Sequence, residues 1–210
     1  FVISHDIMKK VLFLISIVLF GLNGLAQQLV PLDIQPATNN RVLVMDYNSG
    51  RLVMGGSGFF PSTIVDSIVS SMVLVSSNLG DNSTRIGIDE MYSNVFSKVF
   101  TLEMVNSNTF LIGGVYANTL QRVIWRTIDG GGTWSEVWLE QDGASPRWIY
   151  DIECSGNDCL AVGSSNKVLK SSNGGANWTE LAPIVSTEKF YEVVTTNGVD
   201  WLICSENEIL

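Results

Sequence analysis

Four carboxylates, Asp46, Glu103, Asp151 and Glu153, fall near the ends of short apolar runs rich in β-branched residues. Two such groups converging on one place could divide general acid and base work, because a glycosidic bond is cleaved between a protonated and an ionised carboxyl. The competing role is local: Asp46-Tyr47-Asn48-Ser49-Gly50 has turn composition, in which the acid orders its own loop. Arg41, Arg51, Arg85, Arg122, Arg126 and Arg147 could hold a substrate carboxylate, but on outer strands they are expected to be solvated or paired at the surface. No metal cluster stands out, since the single histidine, His5, lies at the N-terminal end. The sequence shows no nucleophile elbow, and Gly130-Gly131-Gly132 lies between strands rather than ahead of a helix, so it is no phosphate loop. No catalytic residue and no cofactor are assigned.

What must position these groups is an internal repeat. Thr127-Ile128-Asp129-Gly130-Gly131-Gly132-Thr133-Trp134 recurs as Ser171-Ser172-Asn173-Gly174-Gly175-Ala176-Asn177-Trp178, each copy flanked by strand-like sequence. Asp129 and Asn173 can accept hydrogen bonds from N–H groups of their own turn, and the glycines can take φ > 0. Trp134 and Trp178 can then fill the wedge between neighbouring sheets. Around each turn the pattern predicts four antiparallel strands: 99–105, 109–115, 121–127 and 133–139, then 148–154, 159–163, 167–172 and 177–181. In both units the second strand ends in glycine, at Gly113-Gly114 and at Gly163, as does an earlier one at Gly55-Gly56, which fits close backbone approach. A worn copy of the turn begins at Ser76, with a longer loop expected at 57–70.

These turns resemble the Asp-box, or BNR, repeat of sialidase-like β-propellers. Thr127, Asp129, Gly131, Thr133 and Trp134 match its pattern in full; Ser171, Gly175 and Trp178 match in the next copy, where Asn173 and Asn177 depart from it. The resemblance covers 41–210 and implies an all-β propeller of four-stranded antiparallel blades, at about 41–90, 99–142, 148–183 and, in part, 190–210. It also implies that the Gly-Gly turns join the outer two strands, away from the ligand face, and are structural. Because propellers close with typically 4–8 blades, about three and a half visible blades lead us to expect a portion of a longer protein.

A retaining sialidase would need an arginine trio, a tyrosine nucleophile with a glutamate partner and an aspartic acid; no Arg-Ile-Pro or Arg-Leu-Pro segment precedes the first turn, so the resemblance carries no active site with it. The expectation is a non-enzymatic scaffold that binds a protein or glycan, similar to photosystem II assembly-factor-like propellers. The alternatives are a glycoside hydrolase, sialidase-like or glucan-cleaving, and a purely structural stalk. Rigid scaffolds carry function on connecting loops, which singles out 141–148, with Arg147 and Trp148 as a candidate contact surface, and 183–189.

Lys9-Lys10, an apolar run at 11–20 and the small residues Gly24-Leu25-Ala26 have the order of a secretory signal, expected to span 8–26 after an upstream segment at 1–7. A retained anchor is the rival, but a membrane span needs ~20 apolar residues and this run breaks at Gly21 and Asn23. The expected location is therefore extracytoplasmic. In that compartment Cys154 and Cys159, across a Gly/Asn-containing turn, are expected to form a disulfide, whereas Cys204 is expected to be a small buried apolar residue. A net charge of −9 argues against nucleic acid as a partner.

Overall fold

The computed structural model describes residues 41–60, 68–77, 84–86, 96–116, 119–141, 147–182, 189–206 and 209–210. The signal-like segment at 8–26, the worn turn at 78–83 and most of the links at 142–146 and 183–188 lie outside the described residues.

Strands β1 (Arg41–Asn48), β2 (Arg51–Phe60), β3 (Ile68–Ser76) and β4 (Thr84–Ile86) form the first antiparallel sheet, in chain order. The second contains β5 (Phe96–Met104), β6 (Phe110–Tyr116), β7 (Arg122–Thr127) and β8 (Ser135–Leu139). The third contains β9 (Ile149–Ser155), β10 (Asp158–Gly163), β11 (Val168–Ser171) and β12 (Thr179–Glu180). The fourth pairs β13 (Phe190–Thr195) with β14 (Trp201–Ser205). First strands of consecutive sheets lie against one another, β1 with β5, β5 with β9 and β9 with β13. The residues at 57–70 differ from the expected loop: β2 and β3 pair out to Phe60↔Ile68, so much of the extra length extends a hairpin.

Burial explains the residue choice. Every residue of β6 is buried and β7 nearly so, whereas both residues of β12 are exposed. The second and third strands read as continuous apolar runs because sheets cover both their faces. Three seams result. Val53 and Val73 pack with Val99, Phe110, Ile112 and Trp134; Leu111 and Ile124 with Ile149, Ile152 and Leu169; Leu160 and Val168 with Phe190, Val193 and Ile203. Each such side chain contributes about 1.5–3 kcal/mol when fully buried.

Gly55 and Gly113, expected near strand ends, lie instead within β2 and β6 and in these seams. A Cβ on Gly55 would stand 2.7 Å from Val99 Cγ1, and one on Gly113 2.9 Å from Ile149 Cγ2, both on the next sheet's first strand. Besides a slip in β5 between Phe96 and Lys98, each first strand slips register at one matching place. The slips fall between Val42 and Val44, Val99 and Thr101, Ile149 and Asp151, and Phe190 and Glu192. They leave Leu43, Phe100, Tyr150 and Tyr191 as the extra residues of four bulges.

Candidate functional site

The two Gly-Gly turns connect the third and fourth strands of their sheets and share one hydrogen-bond plan. Thr127 Oγ1 donates to Asp129 Oδ1 at 2.8 Å and accepts the Gly131 N–H at 2.9 Å, while the Thr133 N–H reaches Asp129 Oδ1 at 2.8 Å. Ser171 Oγ donates to Asn173 Oδ1 at 2.9 Å and accepts the Gly175 N–H at 3.0 Å, while the Asn177 N–H reaches Asn173 Oδ1 at 2.9 Å. Thr133 Oγ1 adds a bond to Asp129 Oδ2 at 2.7 Å, at the place where the second turn has Asn177 instead of threonine. These donors, the N–H and hydroxyl of Thr133 first and then the Thr127 hydroxyl, hold the Asp129 carboxyl down to about 2. Gly130, Gly131, Gly174 and Gly175 all take positive φ. Trp134 is buried at the first seam and Trp178 half-buried at the second. Both turns lock onto the first hairpin of their own sheet, the Gly130 N–H on Asn108 O and the Gly174 N–H on Asn157 O, each at 2.8 Å. The preceding sheet supplies an arginine to each: Arg51 Nη1 donates to Ser107 O at 2.6 Å and Arg126 Nε to Gly174 O at 2.8 Å.

The first-strand carboxylates are brought into one row, and each reaches the next sheet. Asp46 Oδ2 accepts the Met104 N–H at 2.6 Å, Glu103 Oε1 the Cys154 N–H at 2.9 Å, and Asp151 Oδ2 the Val193 N–H at 2.9 Å. Glu153 accepts the Thr195 N–H, and Thr101 Oγ1 accepts the Ile152 N–H at 3.1 Å. Asp46 also takes the Tyr47 N–H on Oδ1 at 2.6 Å, so it orders its own turn and stitches a seam at once. Burial, then the charges of Asp46 and Glu153, push the Glu103 carboxyl up to about 9. Burial with Asp151 and Asp46 pushes Glu153 up to about 7, and burial raises Asp46.

Arg122 corrects the surface expectation. Arg122 is fully buried, paired through Nε with Glu140 Oε2 at 2.9 Å and through Nη2 with Oε1, and it donates from Nη1 to Ser164 O at 2.6 Å. Arg147 Nη1 reaches the same Glu140 Oε1 at 3.3 Å. Burial alone would raise Glu140; the hydrogen bond and charge of Arg122, with the charge of Arg147, outweigh it and hold the group low. Trp148, beside Arg147, exchanges hydrogen bonds with Ser164: its N–H donates to Oγ at 2.9 Å, and its carbonyl accepts the Ser164 N–H at 3.1 Å. Its ring leads into an aromatic series, Phe100 at 6.0 Å and Tyr150 at 6.1 Å, with Tyr191 at 5.2 Å from Tyr150.

Cys154 and Cys159 are joined as a disulfide across the β9–β10 turn. Cys204 differs from the expected buried apolar residue: it is half-exposed, opposite Glu192 in the β13–β14 ladder. Sequence reasoning did not find Glu140, Ser164 or the series Phe100, Tyr150 and Tyr191. A signal existed for two of these, since Phe100 and Tyr150 stand three residues ahead of Glu103 and Glu153. No group of three or more His, Cys, Asp or Glu side chains among the described residues could hold a metal ion.

No protein-family model matches this sequence, and no curated protein matches it. Among solved structures the chain is similar to YCF48 from Cyanidioschyzon merolae, with 15% identity, a TM-score of 0.54 and coverage of 82% of this chain and 52% of that one. It is similar to YCF48 bound to D1 peptide, with 14% identity, a TM-score of 0.52 and coverage of 81% and 48%. It is also similar to the GH74 enzyme of Niastella koreensis, with 16% identity, a TM-score of 0.51 and coverage of 75% and 24%. The chain thus spans about half the length of the YCF48 structures and about a quarter of that GH74 enzyme. With sheets stacked through their first strands and propellers as structural neighbours, the fold is an all-β propeller, of which the described residues build three four-stranded blades and one two-stranded blade.

Proposed function

We propose that this chain belongs to an exported propeller of the Asp-box type that binds a protein or glycan and catalyses no reaction. The observation that carries this reading is the use of the inner-strand acids. Asp46, Glu103 and Asp151 each hold a backbone N–H of the following blade, whereas a catalytic pair must be free to face a substrate. The shared hydrogen-bond plan of the turns at Asp129 and Asn173 supports the Asp-box assignment. The disulfide at Cys154 and Cys159 and the signal-like segment at 8–26 support an extracytoplasmic setting. YCF48 bound to D1 peptide is a similar fold occupied by a peptide.

A glycoside hydrolase is the second reading, favoured by Glu153, whose carboxyl at about 7 is poised for general acid work. A GH74 xyloglucanase from Xanthomonas campestris is also similar in fold, with a TM-score of 0.52. Incubating the full chain with sialyl conjugates and with xyloglucan separates the two. The scaffold reading expects no product from either; turnover abolished by Glu153→Gln would overturn it.

A further inference from the structure

Four bulges at one position in four successive inner strands are a built feature, because a bulge leaves one residue outside the ladder and re-aims its side chain. The residues singled out are Leu43, Phe100, Tyr150 and Tyr191. The residues just before the last three, Val99, Ile149 and Phe190, are wholly buried, so the seam is already filled without the extra ring. Phe100, Tyr150 and Tyr191 are instead only partly buried, as is Trp148, which joins them. The four rings make an unbroken strip across three blades, Phe100 edge-on to Trp148 with an interplanar angle of 64°, then Tyr150 and Tyr191. The strip lies at the start of the inner strands. The Gly-Gly turns, locked to the first hairpins, occupy the other end.

Carboxylates outnumber the unpaired cations around the strip. Exposed Glu192 follows Tyr191, exposed Glu206 acts on the Tyr150 hydroxyl, and Glu103 and Glu153 continue the strands that carry Phe100 and Tyr150. Arg122 and Arg147 at this end are engaged by Glu140, while Lys189 is exposed just ahead of Phe190. We propose that the strip Phe100, Trp148, Tyr150 and Tyr191 is a docking site for lysine or arginine side chains of an extended peptide, seated on the ring faces with the neighbouring carboxylates as counter-charge. This deepens the binding reading above and rests on it. Aromatic faces attract cations, and desolvated carboxylates alongside strengthen that preference. A neutral sugar would also stack, but it leaves the exposed Glu192 and Glu206 unanswered, and several carboxylate oxygens of the row already hold backbone N–H groups. Burial first, and then repulsion among the carboxylates, raises Glu153 and Glu103; an incoming cation offsets both, so docking near neutral pH should release protons.

The test is titration of the full chain with a tetralysine peptide, its fully Nζ-acetylated counterpart and a xyloglucan oligosaccharide, read by tryptophan fluorescence and by calorimetry in buffers of different ionisation enthalpy. Tetralysine should bind with proton release and the acetylated peptide should not. Tyr150→Leu and Tyr191→Leu should each weaken binding by a factor on the order of ten, and Tyr150→Phe, which keeps the ring, should retain it. Circular dichroism checks that each variant is folded. Tetralysine binding that is indifferent to both leucine variants would mean diffuse attraction to an acidic protein and would overturn the proposal. Ring-dependent binding of the oligosaccharide in place of the peptide would overturn it too, while leaving the scaffold reading intact; cleavage of the oligosaccharide would instead remove the scaffold reading.

Discussion

Glu103 Oε1 accepts the backbone N–H of Cys154 across the seam between the second and third blades, at 2.9 Å. The carboxyl that makes this bond is buried and faces the charges of Asp46 and Glu153, which together push it up to about 9 from an ordinary value of 4.5. A raised carboxyl binds more protons in the folded than in the unfolded state, so its stabilisation is whole below about 4.5 and is lost as pH rises through about 9. Glu153 behaves likewise on the way to about 7. Thermal unfolding followed from pH 5 to pH 9 should therefore show a falling midpoint. Glu103→Gln, whose amide oxygen can still accept the Cys154 N–H, should flatten that fall. A midpoint rising over this range would contradict the electrostatic account of the row.

Arg122 and Glu140 form the most deeply buried ion pair among the described residues. Arg122→Met leaves Glu140 facing only the half-exposed Arg147, and should cost about 3–5 kcal/mol in chemical denaturation. The double variant Arg122→Met with Glu140→Leu should recover most of that loss. Equal, additive losses in the two single variants would show that the pair is not coupled.

Gly163 tests the close approach of strands. A Cβ there would overlap the carbonyl oxygen of Trp148, a backbone atom that no rotamer change can move. Gly163→Ala should destabilise the chain by roughly 1–3 kcal/mol and disturb the fluorescence of Trp148. Unchanged stability would place the two strands farther apart than described.

The turn at Asn173 can be repaired toward the one at Asp129. Asn173→Asp with Asn177→Thr supplies the carboxylate and the hydroxyl that Asp129 and Thr133 join at 2.7 Å. The paired change should stabilise the chain by about 0.5–1.5 kcal/mol in denaturant titration, and each single change should do less. No gain from the pair would separate this turn from the plan of the first.

The blade repeat was legible because its signals are local. Turn residues within one octapeptide, such as Thr127, Asp129 and Gly131, bond to each other, and the buried runs of β6 and β10 announce strands covered on both faces. The buried ion pair and the aromatic strip were not legible for the opposite reason. Arg122 meets Glu140 only through the β7–β8 hairpin and Ser164 only through the neighbouring blade, so neither contact has a spacing rule. The bulges that present Phe100, Tyr150 and Tyr191 are register slips between paired strands, and a single strand's alternation does not reveal them. The extended β2–β3 hairpin escaped notice because Gly55 and Gly56 read as an ending, although Gly55 accommodates packing and the ladder continues through both to Phe60.

Met45 and Tyr47 are 44% and 53% exposed, while Leu102 and Met104, their counterparts by the Asp46 and Glu103 contacts, are buried against a preceding blade. Each internal joint therefore repeats the same few interactions and touches only its immediate neighbours. Cooperativity in such an array is of the nearest-neighbour kind. Damage at one joint should stay there, and amide exchange should quicken at the damaged joint ahead of the others.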